Sequence, residues 1–421
     1  MFETSGNVAL AVVATAWVVI LGLMLSRKVF ISHDSLSNNV HVWFIGEQLW
    51  GGHGIPFHMP VLASGNAYTF PYASIPWMLA GLLWPILGDW VVTLWLVLGF
   101  VGTVAATFWA FPTLRRGWWA AATLANPALV ISPLLGQLPF LWAMAAFITA
   151  IGCWRRGRTG WAIALTAIST IIHPAVMTLV VATIVLLDLP FEKPERRKVL
   201  VGGWLLTIVA SLPAMWLVMQ SPVVAQTSRV TQVAALFQTA GMRLLVVLGP
   251  IILVLIARFG FPKWTPAVLT VLFVGLQYNM YQPFGMDFAW GALRRSPDPS
   301  IDAFADSGRV VEGDTYRVLS GFDGKYGLYA VTRAGGTLDA EFFPEALHRG
   351  GFGTEERYVR FLNQRDVQHV VAFDSYVKHY RRTNEPALLA QLAESGRCVS
   401  GSTITSAGTG PGWREYDVTP C

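Results

Sequence analysis

The chain has 421 residues, 54% apolar and only 13% charged, with 18 Trp, a positive mean hydropathy and a formal charge of +5. That balance excludes an ordinary soluble globular protein and implies a polytopic membrane protein. The charges are unevenly placed: residues 1–290 hold 15 of the 30 Lys and Arg but 8 of the 25 Asp and Glu, so the acids gather in the tail.

A first apolar run, Asn7 to Leu25, lacks a basic n-region and a small-residue cleavage site and reads as a retained helix. Further spans are predicted at 89–111, 118–134, 137–154, 160–173, 174–189, 199–220, 243–258 and 264–284, about nine in all. Basic residues cluster at Arg115 and Arg116, at Arg155, Arg156 and Arg158, at Lys193 and Arg196 to Lys198, and at Arg258 and Lys263. Two spans separate each cluster from the next, so all four can face the cytoplasm. The segment 72–88 is apolar but short, with Pro76 and Pro85 inside it. It reads either as a span or as an interfacial helix; Arg27 and Lys28 are the only basic residues of loop 26–71, which agrees with an interfacial helix and an outward-facing loop.

The predicted organisation is therefore an α-helical polytopic membrane domain over 1–290, a linker over 291–308, and a small extracytoplasmic α/β domain over 309–421. In that domain strands are predicted at 316–320 and 369–373 and helices at 354–365 and 384–395. A closing strand pair follows around Cys398 and WREYDV. Cys398 and Cys421 can pair if the tail faces an oxidising compartment, or remain two free thiols. No GxGxxG, P-loop, HExxH or GxSxG motif and no nucleic-acid-binding motif is present.

Loop 26–71 holds half of the eight histidines: His33, His41, His53 and His58. With Asp34 they make a divalent metal conceivable, but the spacings match no compact zinc pattern and no cofactor is expected. Asp34 opens a short predicted helix in which Asp34, Asn38 and His41, spaced i, i+4, i+7, share one face. Among the outward carboxylates Asp34, Glu47, Asp89 and Asp287, Asp34 is the best general-base candidate, although Ser32 to Ser35 is also good helix-capping material. Asp89 starts a span and can simply cap it. Gln137 falls in an outward hairpin. His173 falls in another, before Pro174, either as a functional group or as a helix-end residue. Arg229 can hold a phosphate bidentately or stand as a solvated charge.

Asp34, followed by GGHGIPFHMP and YTFPYASIPWMLAGLLWPILGDW, then TLRRGWW, GQLPFLWAMAAFI and IIHP, resembles the GT-C superfamily of polyprenyl-phosphate-sugar-dependent glycosyltransferases, in particular its mannosyltransferase-like branches. The resemblance covers roughly residues 1–190 and is architectural beyond them. Asp34 departs from the family pattern in having His33 and Ser35, not an acid, beside it. The resemblance implies a multi-pass plasma-membrane enzyme that transfers a sugar from a polyprenyl-phosphate donor to a cell-envelope glycan, lipid or protein acceptor. Asp34 would be the base, Asn38, His41 and Gln137 would line the sugar site, and His173 and Arg229 would meet the lipid phosphate. The alternative is a non-catalytic scaffold or lipid-glycan-binding protein of envelope assembly. A transporter fits less well, because the membrane half shows no inverted repeat.

Overall fold

The computed structural model describes residues 2–32, 34–70, 72–220, 244, 246–259, 261–281, 290–319, 324–339, 352–374, 384–405 and 412–420. The first helix, α1 (Phe2–Leu25), is followed by α2 (Ser35–Trp50), a short hairpin of β1 (His58–Met59) and β2 (Ala67–Tyr68), α3 (Ser74–Leu87) and α4 (Trp90–Ala110). At one end of the bundle the Trp90 indole donates to the Leu25 carbonyl at 2.7 Å. At the other, the Trp118 indole, just beyond α4, donates to Ser5 Oγ at 3.3 Å. The chain thus leaves α1 and enters α4 at the same end of the bundle. Fourteen residues give α3 about 21 Å of length, short of a hydrocarbon core of about 30 Å.

The predicted span 118–134 is not one helix. It is divided into α5 (Gly117–Leu124) and α6 (Pro127–Leu134), because Pro127 has no N–H to donate and drives Asn126 out of the helical region, to ψ 120. Asn126 then caps α6 by accepting from Ala128 N at 3.0 Å. The membrane half continues through α7 (Leu138–Arg155), α8 (Thr159–Ile172), α9 (Pro174–Asp188), α10 (Pro194–Gln220), α11 (Val246–Arg258) and α12 (Thr265–Tyr281). Among the described residues five helices are long and apolar enough to cross a membrane: those containing α1, α4, α7, α9 and α10; α3, α8, α11 and α12 are apolar but shorter.

The basic clusters meet at one end of this bundle. Arg155 and Arg156 donate to the Ala110 and Trp109 carbonyls at 3.1 and 2.7 Å, and Arg196 donates to the Trp154 carbonyl at 2.9 Å. The Arg156 and Arg196 guanidinium groups lie 4.0 and 4.3 Å over the Trp109 and Trp154 rings.

The stretch 291–308, expected as a linker, carries α13 (Pro299–Ala305), whose Ile301 and Phe304 are buried. Beyond it are β3 (Thr315–Leu319), α14 (Gly324–Arg333), β4 (Thr337–Leu338), α15 (Glu355–Gln364), β5 (His369–Phe373), α16 (Glu385–Ser395), β6 (Val399–Thr405) and β7 (Trp413–Val418). The sheet order is β4-β3-β5-β7-β6, with β3 parallel to β4 and β5, and β7 antiparallel to β5 and β6. Alternation along β5 sends Val371 and Phe373 into a core continuous with the membrane half, and Val370 and Ala372 into a second core with Tyr358, Leu362, Leu389 and Leu392.

The two halves are joined by backbone. Leu338 N donates to the Val61 carbonyl at 3.0 Å and Ser64 N to the Leu338 carbonyl at 2.8 Å, so the loop covers the open edge of β4. Arg27 donates to the carbonyls of Ala292, Leu293 and Arg295. Loop 26–71 and the tail are in contact and therefore occupy the same side. Cys398 is disulfide-bonded and Cys153 is a buried free thiol; Cys421 lies outside the described residues.

Candidate functional site

At the end of the bundle opposite the arginine clusters, the start of α2 sits on the α6–α7 hairpin. Asp34 N donates to the Leu135 carbonyl at 2.8 Å. The Asp34 carbonyl accepts from Ser37 Oγ and Asn38 Nδ2, both at 2.8 Å. Its main chain is thus held from both directions. Asp34 occupies the N-cap position, yet its side chain makes no capping bond. The capping role that its sequence position allows is not the one its carboxylate performs, and the side chain remains partly exposed.

Asn38 is the bracket of this arrangement. Its amide nitrogen donates to the Asp34 carbonyl and, at 3.0 Å, to the Gly136 carbonyl, while its oxygen accepts the Trp77 indole N–H at 2.8 Å. Both N–H donors of the amide are therefore used inside the protein, and Asn38 is 1% exposed. One turn later, the fully buried His41 stacks on the Trp77 ring, 4.1 Å between centroids. Its Nδ1 faces the Ser37 carbonyl at 2.8 Å, which can only accept, so Nδ1 carries the proton. Burial pushes the His41 pKa down to about 4, with the Ser37 carbonyl acting weakly in the other direction, and the ring is neutral.

His173 joins the same end through aromatic contacts. Tyr72 stacks on the His173 ring at 5.4 Å and meets Trp77 at 5.1 Å, while Ala73 N donates to the Ile172 carbonyl at 2.6 Å. Gln137 begins α7, beside the two carbonyls that hold Asp34 and Asn38, and is buried. The fold thus brings residues 34, 38, 41, 137 and 173 to one end of the bundle. Arg229, His33 and Asp287 lie outside the described residues. Asp89 is on this side too, but its carboxylate is directed to the C-terminal domain, where it accepts from Tyr329 and lies 3.4 Å from Arg333.

The residue that sequence reasoning missed is Trp77. It reads as one more interfacial aromatic of segment 72–88, yet it is fully buried and touches Asn38, His41 and Tyr72. Asn38 and His41 are 39 and 36 positions away in the chain, and no local pattern signals them. Its place depends on a close crossing of α2 and α3. A Cβ on Gly46 would lie 2.8 Å from Trp84 Cβ and 3.0 Å from the Gly81 carbonyl, and one on Gly81 would lie 2.9 Å from Ile45 Cγ2.

Among the described residues no group of three or more His, Cys, Asp and Glu side chains converges as a metal site. No protein-family model matches the chain, and no curated protein matches it. Among solved structures the chain is similar to the Archaeoglobus fulgidus oligosaccharyltransferase, whose crystal structure holds Zn and sulfate, with 11% identity and a TM-score of 0.45 over 96% of this chain and 72% of that one.

Proposed function

We propose that the chain is an integral membrane glycosyltransferase that takes a sugar from a polyprenyl-phosphate donor on the outer face of the membrane. The observation that carries the proposal is the clamped main chain of Asp34, which fixes the base of a partly exposed carboxylate without using it as a helix cap. In the reaction the acceptor oxygen forms a bond to the anomeric carbon while the bond from that carbon to the lipid phosphate breaks. The acceptor proton passes to Asp34, and the phosphate leaves with the electron pair. His173 and Arg229 neutralise the departing phosphate, and Gln137 faces the sugar. Asn38 and His41 act as positioning residues, holding the turn that carries Asp34. The acceptor is a glycan, lipid or protein of the cell envelope, and the C-terminal domain presents it.

The test is Asp34→Asn in cells that make the chain, with protein level and detergent-extracted monodispersity followed alongside the envelope glycans. The expected outcome is loss of one defined glycan product at unchanged protein level. An unchanged glycan profile with normally folded Asp34→Asn protein would falsify the base assignment and favour the scaffold role.

A further inference from the structure

A groove of about 820 Å³ runs along α1 between α5 and α12, at the end of the bundle opposite the candidate site. It is lined by Thr4, Ser5, Val8 and Val12 of α1 together with Trp118 and Thr270. Among the described residues nothing covers it: Val8 and Val12 are 59% and 64% exposed. From Thr4 to Val13 the lined part of α1 measures about 14 Å at 1.5 Å per residue, close to half of a hydrocarbon core of about 30 Å. That is the reach of an acyl chain in one leaflet, not of a second helix crossing the whole membrane.

Two cations stand close in the chain to residues that line the groove. Arg116 precedes Trp118, whose indole donates to Ser5 Oγ, and Lys263 precedes α12, in which Thr270 Oγ1 lies 3.5 Å from the Trp118 carbonyl. Both cations are exposed. Neither has a hydrogen-bond or ion-pair partner among the described residues. Glu3 is the acid at this end of α1, so the two cations outnumber it. An uncovered apolar slot in a membrane helix bundle with unpaired cations at its polar end fits one ligand class, an anionic phospholipid.

We infer that the groove holds one acyl chain of an anionic phospholipid from the leaflet on the arginine-rich side, with its phosphate between Arg116 and Lys263. The site lies at the other end of the bundle from the proposed sugar transfer and stands or falls independently of it.

The full chain, purified in mild detergent, is incubated with phosphatidylglycerol or phosphatidylcholine, and retained lipid is counted by native mass spectrometry. Wild-type protein is expected to retain phosphatidylglycerol over phosphatidylcholine by roughly 25-fold, since each of the two basic residues at an anionic surface contributes about fivefold. Arg116→Gln with Lys263→Gln should remove the preference. Val8→Trp, which fills the slot from an exposed position, should cut retention severalfold, whereas Val19→Trp, exposed on the same helix outside the groove, should not. Equal retention of the two lipids by wild type overturns the headgroup assignment, and full retention by Val8→Trp overturns the groove.

Discussion

Asp89, at the N-terminus of α4, accepts a hydrogen bond from the hydroxyl of Tyr329 on α14, joining two residues 240 positions apart. Both are buried, and Arg333 and Lys28 approach the same carboxylate at 3.4 and 3.6 Å. Burial, and then the nearby Asp89 charge, hold the Tyr329 hydroxyl protonated well above its ordinary range. It stays a donor at every pH the protein meets. A carboxylate that the sequence offers as a span cap is thus a side-chain latch between the membrane half and the C-terminal domain.

Asp89→Ala is therefore expected to strand the Tyr329 hydroxyl and loosen the domain, at a cost of about 3 kcal/mol by analogy with breaking a buried charged pair. Asp89→Asn keeps an acceptor and should cost less. Limited proteolysis of detergent-solubilised protein checks this: the alanine variant should release a C-terminal fragment sooner than either the asparagine variant or wild type.

Arg317 makes a second prediction, this one inside the domain. The fully buried guanidinium gives two bonds to Glu385 and one, at 2.8 Å, to Asp339. Burial opposes its charge, but the two carboxylates outweigh burial and hold it protonated. Asp339 is the weaker partner: burial raises its pKa in spite of Arg317, and its Oδ1 is buried without a hydrogen-bond partner. Glu385→Gln should thus lower the melting temperature of the domain more than Asp339→Asn. Arg317→Ala, which leaves two buried acids, should cost about 3–5 kcal/mol. An equal loss in the two acid variants would contradict this ranking.

The α2–α3 crossing sets the geometry of the candidate site. In Gly46→Ala the new methyl meets Trp84 Cβ and the Gly81 carbonyl at 2.8 and 3.0 Å, so the helices must part, at about 1–3 kcal/mol. Parting moves Trp77 away from Asn38 and His41. The expected result is a lower thermal midpoint together with a red-shifted tryptophan emission. Gly22→Ala, where an added Cβ meets nothing within 4 Å, serves as the neutral control.

How much of this was legible in the sequence differs by element. The helix 355–364 and strand 369–373 announce themselves, the first by Thr354 capping Arg357 N and an amphipathic run, the second by a compact β-branched stretch. Position 34, with 38, 41, 137 and 173, could be singled out because polar side chains at the ends of apolar runs are few. What each does could not. Helical spacing puts Asn38 on the face of Asp34 and the resemblance makes it a sugar contact, but only the partners Gly136 and Trp77, fixed by tertiary packing, show its amide to be committed inside the protein. The break at Asn126 was readable from Asn-Pro, but apolarity on both sides masked it. The helix 324–333 was missed because two glycines, Gly324 and Gly327, weaken its local signal.

His41 gives the α2 region a pH dependence whose sign follows from burial. Its pKa is about 4 in the fold against 6.5 ordinarily, so the unfolded chain binds the extra proton between those values. The contribution of the neutral ring is complete above pH 6.5 and lost as the pH falls toward 4, reaching on the order of 2 kcal/mol at pH 5. Thermal melts at pH 7.5 and pH 5 check this. His41→Phe keeps an aromatic against Trp77, removes the titration and should flatten the difference, while losing about 1 kcal/mol with the Ser37 bond.

The junction of loop and tail makes the last prediction, about sidedness. Ser64 and Leu338 share a backbone hydrogen bond, Ser64 Oγ donates to the Arg365 carbonyl at 2.5 Å, and Arg27 is bonded into 292–295. No membrane can pass between segments in such contact, so His53 and Asp306, both exposed, must be reached from the same side. In a Cys153→Ser background, His53→Cys and Asp306→Cys should be labelled alike by a membrane-impermeant maleimide in intact cells. Arg158→Cys, at the arginine-rich end, should be labelled only after permeabilisation. Opposite labelling of positions 53 and 306 would break the junction on which the shared site depends. Like labelling of 53 and 306 from the cytoplasm, with 158 outside, would keep the junction and reverse the proposed face.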